Sequence, residues 1–275
     1  MSQNELSLEQ LKKKVSHLER ENAKLKGQIE QVEKERGEYL QNVSHQLVAP
    51  LNAIKWHIEN LTAGRINVER GKTVLKSVYS QATIAVHLAK NFNLMSNLEA
   101  DHALKKLKEP LQEIELHRLM VNLANDFQPL AWDRNINIIV DDENFDKRPT
   151  VLAMKPLINQ VFSNIIENAV KYSDKDTKVI IKGKYLDESD TFLVTISNYG
   201  IPLNTDLCKK IFDRGVRSDE AKRKYPAGTG FGLYIAKRII EIHEGTITAI
   251  TRNGLTIFEV TLSVRGLKGK ARVRA

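Results

Sequence analysis

Pro156-Leu-Ile-Asn-Gln-Val-Phe-Ser-Asn-Ile-Ile-Glu-Asn-Ala-Val-Lys-Tyr-Ser173 sets the reading of the whole chain. Ile158, Val161, Phe162, Ile165 and Ala169 recur at helical spacing, which predicts a helix from Pro156 to Tyr172 with one buried face. Asn164, Asn168 and Lys171, spaced by four and then three, fall together on another face. A neutral amide oxygen can ligate Mg²⁺, and a lysine can meet phosphate as a point charge. Taken alone, such residues are more often a solvated helix face, so the reading depends on what surrounds them.

Downstream, Gly228-Thr229-Gly230-Phe231-Gly232-Leu233 stands immediately before an apolar helical pattern, Phe231 to His243. Glycines at this spacing let backbone N–H groups approach phosphate, and the dipole at a helix N-terminus favours anions. Between the two stretches, Ser197-Asn198-Tyr199-Gly200-Ile201-Pro202 reads as a strand end and tight turn, where the Asn198 side-chain oxygen could accept from an adenine amino group. Alternating segments predict strands over Ile136 to Val140, Val179 to Tyr185 and Phe192 to Ser197, and a final hairpin in which Phe258, Val260 and Leu262 alternate with Glu259, Thr261 and Ser263. A short strand near Glu113 to Leu116 and a helix to about Ala131 precede them. Strands and helices interleave without strict βαβ order, which predicts an α/β sandwich with helices on one face of a mixed sheet.

Together these three stretches resemble the N, G1 and G2 boxes of the Bergerat-type ATPase fold. With Ile211-Phe212-Asp213-Arg214 between them, residues 112–264 look like the catalytic, ATP-binding domain of histidine kinases. The resemblance implies ATP and Mg²⁺ as cofactors, with Asn168 as the metal ligand and with Lys171 and Tyr172 touching phosphate and base. Asn164, Asn198, Gly200, Phe212, Gly228, Thr229, Gly230, Gly232 and Leu233 would complete the nucleotide site. It also implies that Asp213 to Ala227 forms a mobile lid, and that Arg217 at its edge faces the transferred phosphate.

The first part of the chain agrees. Leu8, Leu11, Val15, Leu18, Leu25, Ile29 and Val32 alternate at intervals of three and four, with Asn22 at the one missing position. That is a heptad seam, and an Asn at an a-position specifies a parallel two-stranded coiled coil in one register. The stripe continues through Leu40, Val43, Leu47, Leu51, Ile54, Ile58 and Leu61 to a stop at Gly64. After a turn at Arg65 to Asn67, a second helical pattern runs from Val74 to about Leu98. Two such helices per chain predict a hairpin, and dimerisation a four-helix bundle. Val43-Ser44-His45-Gln46-Leu47-Val48-Ala49-Pro50-Leu51 resembles the H box of the dimerisation and phosphoacceptor domain. His45, two positions from Val43 and from Leu47, points away from the seam, and Pro50 removes a backbone bond to the Gln46 carbonyl one turn later.

The fold class is therefore read as α+β: a parallel coiled coil (1–39), a helical hairpin carrying the phosphoacceptor (40–107), a linker near Lys108 to Pro110, the α/β sandwich (112–264), and a basic tail (265–275). The implied activity is that of a two-component sensor histidine kinase (ATP:protein-L-histidine phosphotransferase). It would autophosphorylate His45 and pass the group to an aspartate of a response-regulator receiver domain. A homodimer and an upstream sensor domain or protein are the further partners implied.

The chain departs from the family pattern in four places. Gln46 stands where an acid commonly follows the phosphoacceptor; it can accept from the ring but cannot take its proton, and loss of a positioned general base typically costs ~10²–10⁴ in rate. Ala49 replaces a polar residue that holds hydrolytic water, which predicts weak phosphatase activity. Asn198 and Pro202 replace an Asp and a Gly of the G1 box, and Gly215-Val216 replaces an aromatic pair. These departures motivate an alternative reading as a weakened pseudokinase scaffold that binds nucleotide and a response regulator or partner kinase.

The totals fit either reading. Of 275 residues 41% are apolar, enough for two domains, and the net charge of +8 suits a polyanionic ligand without identifying one. The dense nucleotide motifs make a nucleic-acid partner unnecessary. Without a signal sequence or an apolar run of about 18 residues the chain reads as cytoplasmic with no membrane segment. Cys208, the one cysteine, is assigned to packing.

Overall fold

The computed structural model describes residues 8–64, 67–99, 110–147, 149–226 and 228–266. The turn residues Arg65 and Ile66, the linker residues Lys108 and Glu109, Ala227 of the lid and most of the basic tail lie outside the described residues. Two units divide the chain, residues 1–44 and residues 45–275.

Helix α1 (Leu8–Thr62) contributes all the described residues of the first unit and the opening of the second. Along it Leu11, Val15, Leu18, Leu25, Ile29 and Val32 are all exposed, each by about half. In the second unit α1 carries Pro50 in its interior, and His45 is exposed while Gln46 and Leu47 after it are half-buried. Helix α2 (Val68–Glu99) follows. Both helices are therefore present over nearly the spans that the three-four periodicity predicts.

The sandwich begins with β1 (Gln112–Ile114) and α3 (Leu116–Ala131). Leu116 opens the helix and does not continue the strand, because with Leu119, Met120, Leu123, Ala124 and Phe127 it completes a three-four stripe that is buried along its length. A 3₁₀ turn, Trp132–Arg134, leads to β2 (Asn137–Phe145), which extends five residues beyond its predicted end at Val140. Short β3 (Val151–Ala153) pairs antiparallel with β1. Helix α4 (Lys155–Tyr172) is the predicted Pro156 helix, with Pro156 in its first turn where no N–H is needed.

Strands β4 (Lys178–Leu186) and β5 (Thr191–Tyr199), the six-residue helices α5 (Thr205–Lys210) and α6 (Asp219–Lys224), helix α7 (Gly232–Ile242), and the hairpin β6 (Thr246–Arg252) and β7 (Leu255–Ser263) complete the unit. The five-stranded sheet has the order β2-β4-β5-β7-β6, with β2 and β4 parallel and the other pairs antiparallel. It is the mixed sheet expected. Val179 and Ile181 of β4, Phe192, Val194 and Ile196 of β5, and Phe258, Val260 and Leu262 of β7 point to the covered face, where each buried side chain contributes about 1.5–3 kcal/mol relative to exposure. Across from them lie Ile158, Val161, Phe162 and Ile165 of α4 and Ile235, Ile239 and Ile240 of α7, all buried. This core fixes the polar face of α4 beside the loop that precedes α7.

Candidate functional site

One cavity collects most of the residues that the sequence singles out. Asn164, Asn168, Lys171 and Tyr172 reach it from α4, Asn198 from the end of β5, Arg217 from the loop before α6, and Gly228, Thr229, Gly230, Gly232 and Leu233 from the approach to α7. Gln46 of α1 and Leu88 and Asn91 of α2 line it as well. His45, Gly200 and Phe212 do not. Phe212 is buried behind the wall, edge-on to Phe258 with ring centroids 6.4 Å apart. Gly200 serves the backbone: it bridges to Ser173, and a Cβ there would lie 2.0 Å from the Tyr172 carbonyl oxygen, so a larger residue would push β5 away from the end of α4.

The amides are organised from several elements. Asn164 is buried, and its Nδ2 donates to the Gly232 carbonyl at 2.9 Å, which ties α4 to the first turn of α7. Its Oδ1 accepts from Asn91 Nδ2 at 2.8 Å and from Gln160 Nε2 at 3.3 Å, while Gln160 Nε2 also donates to Asn91 Oδ1 at 2.9 Å. Asn164 is therefore a structural link between three helices in this arrangement. Asn168, half-buried on the same face, has its amide at the cavity. Asn198 is buried at the cavity floor, and Thr256, its register partner on β7, lines the same floor with a buried hydroxyl that has no hydrogen-bond partner. A floor of one amide and one unpaired hydroxyl suits a hydrogen-bonding heterocycle better than an apolar ligand.

Charge is concentrated at one end. Burial depresses the Lys171 ammonium; the charge of Glu167 acts to raise it and that of Arg217 lowers it further, and the net shift is downward. An incoming polyanion would relieve both the desolvation and the repulsion. Arg217 donates from Nη1 to the Gly228 carbonyl at 2.7 Å and from Nη2 to the Ala221 carbonyl at 2.7 Å, with Tyr225 and Pro226 carbonyls also accepting. Its guanidinium is thus wrapped in backbone of its own lid segment.

Groups of three or more His, Cys, Asp or Glu arranged to hold a metal are absent among the described residues. A single amide, Asn168, fits Mg²⁺ only if phosphate oxygens and water supply the remaining ligands, which is the manner in which Mg²⁺ usually accompanies nucleotides. The sequence reading missed Thr256, Leu88, Asn91, Gln160, His87, Arg134 and Tyr225. No local pattern marks them, because each acquires its role from a partner on another element.

Residues 154–266 match the family described as Histidine kinase-, DNA gyrase B-, and HSP90-like ATPase. The glycine loop and the amide-lysine helix face, set on this sandwich, lie within the matched residues. The chain is also 32% identical over 237 residues to the Sensor protein kinase WalK of Staphylococcus aureus, a match covering 83% of this chain and 54% of that protein. With the WalK of Staphylococcus aureus strain JH9 the same identity covers 37% of the relative, so the chain spans about half, or less, of the length of the curated relatives it matches. Among solved structures, the Acinetobacter baumannii histidine kinase AdeS has the same fold at 19% identity and a TM-score of 0.52, with 80% of this chain and 98% of that one covered. Full-length ShkA, solved with AMPPNP, shares it at 20% identity and a TM-score of 0.53, with 86% of this chain and 48% of that one covered. Over the matched residues the chain resembles the catalytic core of a sensor histidine kinase. Among the described residues no helix is long and apolar enough to cross a membrane.

Proposed function

We propose that the chain is a protein-histidine kinase that phosphorylates His45 from ATP and hands the phosphoryl group to an aspartate of a response-regulator receiver domain. The observation that carries this reading is the convergence of Asn168, Lys171, Asn198 and the Gly228–Gly232 loop on one cavity of a histidine kinase-like ATPase domain. Adenine would sit on the Asn198 and Thr256 floor, and the phosphates would face Lys171 and the glycine loop. Bound Mg²⁺ would neutralise charge on the triphosphate, with Asn168 as its protein ligand.

In the reaction an imidazole nitrogen of His45 attacks the γ-phosphorus. A P–N bond forms, the bond to the β–γ bridging oxygen breaks, and ADP leaves. Lys171 stabilises charge on the phosphoryl oxygens. Gln46 can accept from the ring N–H and orient it, while the proton goes to solvent, which makes the first step slow relative to enzymes with a positioned base. The proposed organisation keeps residues 40–107 as the phosphoacceptor hairpin of a homodimer and residues 112–264 as the nucleotide-binding part, with a separate sensor upstream.

The test is incubation of the full chain with labelled ATP and Mg²⁺, beside His45→Ala. The expected label is lost in acid, kept in base, and absent from the variant. Binding of ATP without any such label would replace the kinase reading by that of a nucleotide-binding scaffold. Label persisting in His45→Ala would remove His45 from its role.

A further inference from the structure

Arg134 ends the 3₁₀ turn Trp132–Arg134 and belongs to none of the motifs that mark the nucleotide site. Its Nη1 donates to the carbonyls of Val170 at 3.0 Å and Lys171 at 2.9 Å, and its Nη2 donates to the Ser173 carbonyl. These are the acceptors left free at the C-terminal end of α4, where the helix dipole favours a cation. The basic residue that α4 itself carries in its last turn, Lys171, lines the cavity instead. Arg134 thus fills the capping role that would otherwise compete for the Lys171 side chain.

Arg134 makes one more contact. Nη1 also donates to the Tyr225 hydroxyl at 3.2 Å. The Tyr225 ring stands edge-on to Tyr172, with centroids 5.6 Å apart and planes at 81°, and the Lys171 ammonium lies 5.1 Å from the Tyr225 centroid. In the backbone, Tyr225 N–H donates to the Ala221 carbonyl at 3.0 Å, and the Tyr225 carbonyl accepts from Gly228 N–H at 3.1 Å and from Arg217 Nη2. One tyrosine therefore joins the lid helix α6, the glycine loop and the end of α4.

We propose that Arg134 and Tyr225 are positioning residues that moor the lid residues Ser218–Pro226 to the end of α4 and hold the Lys171 ammonium towards a bound triphosphate. The guanidinium is suited to this because its planar fork serves three carbonyls and a hydroxyl at once, which the single ammonium of a lysine cannot do. The consequence for nucleotide rests on the kinase reading above, but the mooring itself does not.

Two readouts on the full chain separate the two. Tyr225→Phe removes one hydroxyl and keeps the ring, Tyr225→Ala removes both, and Arg134→Lys keeps the charge without the fork. Without nucleotide, trypsin should cut after the exposed Lys222, Arg223 and Lys224 about three- to tenfold faster in Tyr225→Phe and Arg134→Lys, and faster still in Tyr225→Ala. The KM for ATP in autophosphorylation should rise by a similar factor, with the effect falling on KM more than on kcat, while the thermal midpoint of Tyr225→Phe stays within a few degrees. Unchanged tryptic cleavage in all three variants overturns the mooring, and so does a lowered thermal midpoint with KM unchanged. Absence of ATP binding in the unmutated chain would sink the kinase reading, and the nucleotide-free tryptic comparison would still decide the mooring.

Discussion

Glu167 immediately precedes the amide assigned to magnesium, yet its carboxylate is committed elsewhere: His87 Nδ1 of α2 lies 2.5 Å from Oε2, with the imidazole buried and edge-on to Phe127. Burial acts to raise the Glu167 carboxyl, but the charge and contact of His87 and the charge of Lys171 outweigh it, and the group is held below the usual carboxylate range. A depressed acid stabilises the fold above its unfolded value, about 4.3, and that contribution is lost as pH falls through the lower folded value. At pH 6, Glu167→Gln should destabilise the chain by roughly 2 kcal/mol, less than the 3–5 of a fully enclosed pair because 21% of the carboxylate side chain is exposed. Urea unfolding at pH 6 and at pH 3 measures it: the gap between variant and parent should shrink at the lower pH. A gap of equal size at both values would mean that packing, and not charge, is lost in the variant.

At the scale of elements, the coiled-coil stretch is an apolar stripe that its own unit leaves bare, with Val15 53%, Ile29 58% and Val32 55% exposed. We propose that a second copy covers this seam, with Asn22 at its one polar a-position restricting the copies to two parallel strands. Asn22→Ile should therefore tighten association while admitting trimers or mixed registers, and deletion of residues 1–40 should weaken it; sedimentation equilibrium reads both. A full chain that sediments as a monomer at micromolar concentration would refute the seam. The same repetition made α1, α2 and α4 legible in the sequence, since a period repeated over many turns outweighs local exceptions. Strand β3 and helices α5 and α6 were not legible, at three and six residues each, because no period is completed within them. The site divides in the same way: Asn164 to Tyr172 and Gly228 to Leu233 are contiguous and readable, whereas Thr256, His87, Arg134 and Tyr225 depend on pairings that only the folded chain creates.

In the whole molecule, the phosphoacceptor proposed and the cavity proposed to feed it are offset. Gln46 lines the cavity and His45 is exposed, and successive residues on a helix point about 100° apart, so α1 presents the neighbour of the nucleophile to the nucleotide site. Bringing an imidazole to a γ-phosphate from this arrangement means turning the sandwich around the helices and parting the contacts that α2 makes with it. Those contacts include Asn91 with Asn164 and Gln160 at the cavity, and, further along α2, Tyr79 Oη to Asp126 at 3.3 Å and the Lys76 ammonium 4.2 Å from the Trp132 ring centroid. The second pair is distant from the nucleotide residues and can be weakened without touching them. Each contact is exposed and contributes about 0.5 kcal/mol, so Tyr79→Phe with Lys76→Ala lowers the cost of parting by about 1 kcal/mol. A population shift of that size raises the initial rate of His45 labelling about fivefold at saturating ATP, provided the docked arrangement is the resting one. The measurement is single-turnover label incorporation in the double variant and its parent, with ATP affinity determined alongside. A rate that falls while affinity holds would mean that the α2 contacts guide the sandwich to His45 and do not restrain it.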